Sequence, residues 1–343
     1  MQTRLNESLA EHTTLRVGGV AKTFVIAESE SDIIEAIQTY RESNVVILGS
    51  GSNVVIADDG FDGVVIHIQS QGAKVEQDEC SGAMVSVQAG VNWDEFVVDS
   101  LSNEWYGIEA LSGIPGSVGA TPIQNVGAYG QDVSQSIARV KTYDRIEGKV
   151  KTFSAAECEF RYRSSRFKIE PDRYVVLEVT FQLGLGPHSS PIRYAELAHV
   201  LGVEIGKRSK SSDVREAVLN LRKSKGMVLD NNDPDTWSVG SFFTNPIVTK
   251  ELSDSLPSTL TRWQQNDGVK ISAASLLEHS GIKKGFTLGT HAQISSKHAL
   301  AITNMANAKA TEIMELAHFI QDAVQSQFGI SLEIEPRVIG INP

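Results

Sequence analysis

Twenty consecutive residues, LSGIPGSVGATPIQNVGAYG (111–130), hold five glycines and two prolines and no charged side chain. The stretch reads as a specialised loop, and so flexible a backbone is costly in chain entropy unless something orders it. Residues 107–130 carry six of the 28 glycines (Gly107, Gly113, Gly116, Gly119, Gly127 and Gly130), where an even spread gives about two. Two arrangements meet that demand. One is a buried crossover between sheets. The other, which we expect, is a backbone lying flat against a large ligand, with Ser112, Ser117, Thr121, Gln124 and Asn125 offering hydrogen bonds.

The rest of the chain limits what that ligand and its protein can be. With 343 residues, 41% hydrophobic and 21% charged, it suits two or three domains with a large core, which excludes intrinsic disorder. A net charge of −11 repels a nucleic-acid backbone, so an anionic ligand needs a local basic patch. One exists at 207–225, where Lys207, Arg208, Lys210, Arg215, Arg222, Lys223 and Lys225 face only Asp213 and Glu216. Cys80 and Cys158 lack a Cys-x-x-Cys partner and read as structural thiols of a reducing cytoplasm. The N-terminus MQTRLNESLAEHTTL has no basic start before an apolar stretch, and no apolar run approaches the ~18 residues of a membrane helix. A soluble, untargeted protein is expected.

Apolar patterning predicts strands at 22–27 and 44–48, joined by a helix opening near Asp32 with Glu35 as its box partner, and further strands after Asn53. No G-x-G-x-x-G opens a helix here, so a Rossmann reading fails. Helices are expected at about 212–223 and at 309–328, the latter with Ile313, Leu316, Ala317, Ile320, Val324 and Phe328 inward and a stop at Gly329. GMVLDNNDPDT after the basic helix reads as a linker and a domain boundary.

Four shorter stretches offer chemistry. ILGSGSNVVI (47–56) sets glycines between apolar strands, where a simple tight turn competes with an anion-binding nest of amides. FRYRSSRFK (160–168) read as a strand places Arg161 and Arg163 on one face, and an inward arginine can hold a carboxylate bidentately. WSVGSFFTNP has no G-x-S-x-G elbow, so Ser241 is no hydrolase nucleophile. On those ten residues alone it is a turn or cap serine. SLEIEPRVIG alternates as a strand with Glu333 and Glu335 on one side. The eight histidines form no H-x-x-x-H or H-E-x-x-H pattern, and no metal site is expected.

In this order TTLRVGG (13–19), ILGSGSN (47–53), SGIPGSVGATPIQNVGAYG (112–130), FRYRSSRFK, GSFFTNP (240–246), KHAL (297–300) and LEIEPRVIG (332–340) resemble one family, the UDP-N-acetylenolpyruvoylglucosamine reductases, also called UDP-N-acetylmuramate dehydrogenases. The likeness spans about residues 10 to 340. It implies an α+β chain with the two-part FAD-binding fold of the vanillyl-alcohol oxidase type and a C-terminal α/β substrate domain. The boundaries it suggests are 1–70 and 71–225 for the two FAD-binding subdomains, 226–330 for the substrate domain, and 331–343 for a strand returning to the flavin site. Non-covalent FAD is implied, with NADPH as reductant. The implied substrate is the enolpyruvyl ether of UDP-N-acetylglucosamine, reduced to UDP-N-acetylmuramate in cytoplasmic peptidoglycan precursor synthesis. No nucleic acid or membrane insertion is implied, and a monomer is left open.

By motif position the resemblance makes Arg163, Ser241 and Glu335 catalytic. Arg163 would stabilise an enolate, Ser241 would protonate the carbon beside the carboxylate, and Glu335 would act protonated or position a proton through water. It assigns FAD contacts to Gly49, Ser50, Gly51, Ser52, Asn53, Pro115, Gly116, Ser117, Gly119, Thr121, Gln124, Asn125, Gly127, Ala128, Tyr129, Arg222 and Arg337. Substrate contacts fall on Tyr162, Tyr194, Lys225, Asn245, Trp263, Lys270 and Lys284. The chain departs from the common family pattern twice. A short Lys-x-Pro-Asp-Pro link is replaced by the longer KGMVLDNNDPDTWSVGSFF, as in members from high-GC Gram-positive bacteria. Trp263 stands where a tyrosine is common, which keeps a stacking face and loses a hydroxyl. A flavin oxidase of the same fold and a catalytically idle flavin or nucleotide-sugar binder are the alternatives, and Arg163, Ser241 and Glu335 in their matching places argue against both.

Overall fold

The computed structural model describes residues 1–341 and divides into two compact units. The first comprises residues 1–7, 21–50 and 62–223, and the second 8–20, 51–61 and, of the described residues, 224–341.

In the first unit a four-stranded sheet runs in the order Gln2–Ser8, Val20–Ala27, Phe61–Ile68, Val45–Leu48. Val45 lies beside Val64 and Leu48 beside His67 in parallel register, and the helix Glu30–Thr39 crosses between Val20–Ala27 and Val45–Leu48. That helix opens earlier than Asp32. Ser29 caps it by accepting the Asp32 N–H, and Asp32 accepts the Glu28 N–H. The cap is therefore Ser29, about one turn before the expected Asp32/Glu35 pair, because a serine in extended conformation directly precedes the first helical residue.

A second sheet in this unit is antiparallel, in the order Lys149–Ser154, Ile137–Asp144, Tyr174–Leu185, Gly82–Gln88, Ala73–Asp78. Period-two patterning explains GAMVSVQ, where Ala83, Val85 and Val87 are buried and their neighbours are not. Tyr174–Leu185 is the long central strand, and its nearly continuous apolar run fits burial on both faces. Trp93, Phe96 and Phe181 meet at centroid distances of 5.0–6.0 Å within a core that also holds Ile33, Ile66 and Val85.

The second unit has its own core, built from Leu15, Val55, Phe242, Phe243, Leu276, Ile302 and the inner face of a long helix. Ala310–Phe328 buries Ile313, Leu316, Ala317, Ile320, Val324 and Phe328, as its period predicts, and ends at Gly329 with φ 68°. Asp58 caps its start by accepting the Ala310 and Thr311 N–H groups at 2.7 and 3.0 Å. Burial works to raise the Asp58 carboxyl, but those bonds and the Thr311 hydroxyl hold it below the usual carboxylate range. Three antiparallel strands (Ile247–Val248, Gly268–Ile271, Arg262–Gln265) and the hairpin Ala292–Ile294/Ile302–Asn304 complete the unit with the parallel pair Arg337–Ile339/Val54–Ile56.

Candidate functional site

The first half of the glycine-rich stretch, residues 111–119, lies along residues 89–94 and is bonded to them at several steps. Gly119 N–H donates to Ala89 C=O and Val118 N–H to Val91 C=O, each at 2.9 Å. Trp93, fully buried, donates its backbone N–H to Gly116 C=O and its indole N–H to Leu111 C=O, each at 3.0 Å. A Cβ on Gly119 would stand 2.5 Å from that of Ala89, so only glycine permits this approach. The loop's entropy is therefore offset by buried hydrogen bonds and by one large aromatic.

FRYRSSRFK is not a strand. Arg161 and Ser164 exchange backbone hydrogen bonds at 2.9 and 3.2 Å, which makes a tight turn with Tyr162 and Arg163 at its tip. The expectation that Arg161 and Arg163 share a strand face is therefore overturned. Arg163 has φ 51°, and Ser165 then caps the short helix Arg166–Ile169 by accepting the Phe167 N–H. The turn is fixed to the glycine-rich stretch, since Asn125 Nδ2 donates to Arg161 C=O at 3.2 Å and Ser165 Oγ to Ile123 C=O at 2.6 Å. Arg163 and the cofactor candidates Gln124 and Asn125 thus belong to one local assembly.

Tyr129, another cofactor candidate, meets the substrate candidate Tyr194 edge to face at 5.5 Å. Beside them a cavity of about 350 Å³ is lined by Tyr106, Tyr129, Gln131, Arg193 and the buried Glu109. Glu109 accepts from Gly107 N–H, Ser190 N–H and Gln131 Nε2 at 2.6, 2.7 and 3.1 Å, which ties the glycine-rich stretch to the segment leading to Tyr194. Arg222 is buried in this unit with Nε donating to Gly113 C=O at 3.2 Å. Burial pulls its pKa down to about 10, against the favourable fields of Tyr129 and Asp94. The basic cluster is thus partly engaged within this unit: Arg215 pairs with Asp94, and Arg208 donates to Ser189 C=O.

In the second unit TTLRVGG and the glycine turn fit each other. A Cβ on Gly51 (φ 61°) would fall 2.0 Å from His12 C=O, and Thr14 N–H donates to Gly51 C=O at 3.1 Å. Arg337 N–H donates to Asn53 C=O at 3.0 Å. The GSFF segment is anchored by Phe242 and Phe243, both buried, and by Phe242 N–H donating to Leu300 C=O of KHAL at 2.8 Å. Ser241 is left partly exposed. Glu335 N–H donates to Phe242 C=O at 2.9 Å, and Phe243 forms a bridge with Ile334. Ser241 and Glu335 therefore stand on two segments bonded to each other. The regular strand is only Arg337–Ile339, shorter than SLEIEPRVIG suggests, because Pro336 lacks an N–H for a ladder. Trp263 and Lys270 are cross-strand partners with the ammonium 5.5 Å from the ring centroid. Asn245 Oδ1 accepts the Ala273 N–H at the start of Ala273–His279, and Lys284 is exposed.

The donor set of the first unit suits FAD. It combines a close-laid glycine backbone, the side-chain amides of Gln124 and Asn125, and a buried arginine for an anionic dinucleotide. Sequence reasoning missed Trp93, Asp94 and Glu109. Nothing local marks them, because most of their partners lie far along the chain: Leu111 and Gly116 for Trp93, Gly113 and Arg215 for Asp94, Gln131 and Ser190 for Glu109.

Comparison with known proteins agrees. Residues 21–154 match the FAD binding domain and residues 232–339 the UDP-N-acetylenolpyruvoylglucosamine reductase C-terminal domain. The UDP-N-acetylenolpyruvoylglucosamine reductase of Cutibacterium acnes is 51% identical over 97% of this chain and 89% of its own length. That of Salinispora arenicola is 46% identical over 96% and 94%. The crystal structure of the reductase from Thermus caldophilus superposes with a TM-score of 0.66 over 98% of each chain at 24% identity, which establishes the shared fold. The chain belongs to the UDP-N-acetylenolpyruvoylglucosamine reductase family.

Proposed function

We propose that this protein reduces the enolpyruvyl ether of UDP-N-acetylglucosamine to UDP-N-acetylmuramate, with NADPH as reductant and FAD held non-covalently, in peptidoglycan precursor synthesis. The observation that carries the reading is the bond from Glu335 N–H to Phe242 C=O, which joins the segments bearing Ser241 and Glu335 in a chain of this family. Bound FAD supplies the hydride relay between NADPH and the enolpyruvyl double bond.

Hydride adds to the terminal methylene, and a proton must reach the carbon beside the carboxylate, so the double bond gains one hydride, carrying two electrons that come from NADPH, and one further proton. Charge builds on the carboxylate side as an enolate. Arg163 offers planar, permanently charged donors for it. An ionised Glu335 would repel that charge, so it acts either protonated or by positioning a proton through water. Ser241 Oγ gives its proton to the enolate carbon and fixes the new stereocentre, a transfer worth ~10²–10⁴ in rate.

Lys225, Lys270 and Lys284 supply positive charge for the diphosphate, Asn245 and Trp263 recognise the uridine, and Tyr162 and Tyr194 contact the substrate. Gly49 to Asn53, the ten residues named above between Pro115 and Tyr129, Arg222 and Arg337 contact the FAD. We assign FAD binding to 1–70 and 71–225, the sugar nucleotide to 226–330 and a cytoplasmic location to the whole. Among the described residues, no helix is long and apolar enough to cross a membrane. The purified protein should be yellow, release its flavin into the supernatant on acid precipitation, and consume NADPH only when the enolpyruvyl sugar nucleotide is added. A colourless protein, or NADPH oxidation that ignores the sugar nucleotide, would refute the assignment.

A further inference from the structure

One residue of the glycine-rich stretch is held on both of its peptide groups by charged side chains. Gly113 N–H donates to Asp94 Oδ1 at 2.6 Å, and Gly113 C=O accepts from Arg222 Nε at 3.2 Å. Asp94 is itself gripped by Arg215 through two bonds, Nη1 to Oδ1 at 2.6 Å and Nη2 to Oδ2 at 2.8 Å. Arg215 and Arg222 both stand on the helix Ser211–Ser224, two turns apart and so on one face. Gly113 has φ 71°, a conformation open to glycine and strained for other residues.

We propose that the Asp94–Arg215 pair positions the FAD cradle by fixing the direction in which the chain leaves Gly113 for Pro115, Gly116 and Ser117. The inference rests on the assignment of those residues to FAD. Asp94 also lies in the first turn of Trp93–Ser102, where any acid is mildly favourable. That role needs neither a forked arginine 121 positions away nor a bond to a loop amide. Burial works to raise the Asp94 carboxyl, yet Arg215 and the Gly113 N–H hold it below the usual carboxylate range. The pair therefore stays ionised and presents a fixed acceptor to Gly113. Once the acceptor is fixed, binding no longer has to order the loop.

The test compares the full-length holoprotein with Asp94→Ala, which removes the acceptor, and Arg215→Lys, which keeps the charge but loses the fork. Flavin release on dilution, read by fluorescence, should be at least ~10-fold faster in Asp94→Ala and intermediate in Arg215→Lys, since the bidentate geometry carries much of such a pair. The flavin-free Arg215→Lys protein should melt close to the flavin-free wild type and flavin-free Asp94→Ala should stay folded with a lower melting temperature, and KM for the sugar nucleotide at saturating FAD should not change in either. Wild-type flavin release in Arg215→Lys would overturn the proposal, as would a loss of stability in both variants without faster release. Failure of the wild type to hold FAD would instead overturn the assignment of the cofactor.

Discussion

The glycine-rich stretch of the first unit and the 226–239 segment of the second are both long and irregular, yet they are held by different physics. The first is laid along buried residues through backbone bonds and the indole of Trp93. The second is secured mainly by side chains. Arg16 lies 3.8 Å over the Trp237 ring, Lys297 pairs with Asp233 at 2.5 Å, and the Pro234–Thr236 turn is fixed where Asp235 accepts Ser296 N–H and Oγ. Lys297 and Asp233 are each 36% exposed, whereas Asp235 and Trp93 are buried. A loop that is to hold a ligand needs contacts that water and salt do not weaken. A connector from a helix to the next strand can rely on weaker ones.

The sharpest test of that contrast is Trp93→Ala, which should cost about 3–5 kcal/mol in urea unfolding and abolish flavin retention. A loss under about 1 kcal/mol would show that the glycine-rich stretch does not depend on its buried anchor. Next comes Asp235→Ala, which removes the buried carboxylate that accepts both the Ser296 N–H and the Ser296 hydroxyl and should cost about 1–3 kcal/mol, the range for hydrogen bonds to a charged group, while leaving FAD bound. Flavin loss in that variant would break the separation between the two regions.

Smaller still is Lys297→Ala, expected to cost at most about 1 kcal/mol and to fade in high salt. Its pH dependence follows from signs. Lys297 holds the Asp233 carboxyl below its usual range, so the pair's contribution is full above about pH 4 and is lost as pH falls through the lowered value. Asp233 in turn raises Lys297, so that side persists to alkaline pH. The melting gap between wild type and Lys297→Ala should close on acidification, and a gap that widened would contradict the pairing. The least perturbing probe is thiol labelling. Both cysteines are free, Cys80 exposed and Cys158 buried, and burial pushes the Cys158 thiol up to about 12. A disulfide reagent should label one thiol in the native protein and two after unfolding.

The sequence revealed what depends on local composition. Ile313 to Phe328 announce their helix by period alone, and five glycines among uncharged residues announce a specialised loop that something must order. What failed was local mimicry. FRYRSSRFK alternates like a strand, but Asn125 and Ile123 capture Arg161 and Ser165 and bend the chain into a turn, a tertiary effect that no window of nine residues contains. The Asp94–Arg215–Gly113 set was illegible for the same reason, since an acid in a helix's first turn and an arginine in a basic run look ordinary until the fold brings them together. Ser241 was a turn serine on its own ten residues, and the chemical role proposed for it comes only from the order of all the motifs.

The most direct measurement of the account is the split between the two half-reactions in Ser241→Ala, followed by stopped-flow absorbance of the bound flavin. Reduction by NADPH needs no carbon protonation and should proceed at close to the wild-type rate, with FAD content unchanged. Reoxidation by the enolpyruvyl sugar nucleotide should slow by at least ~10², the low end of general acid catalysis. Wild-type reoxidation, with solvent deuterium entering the product at full rate and with one stereochemistry, would contradict the account and move the acid to Glu335 or a bound water.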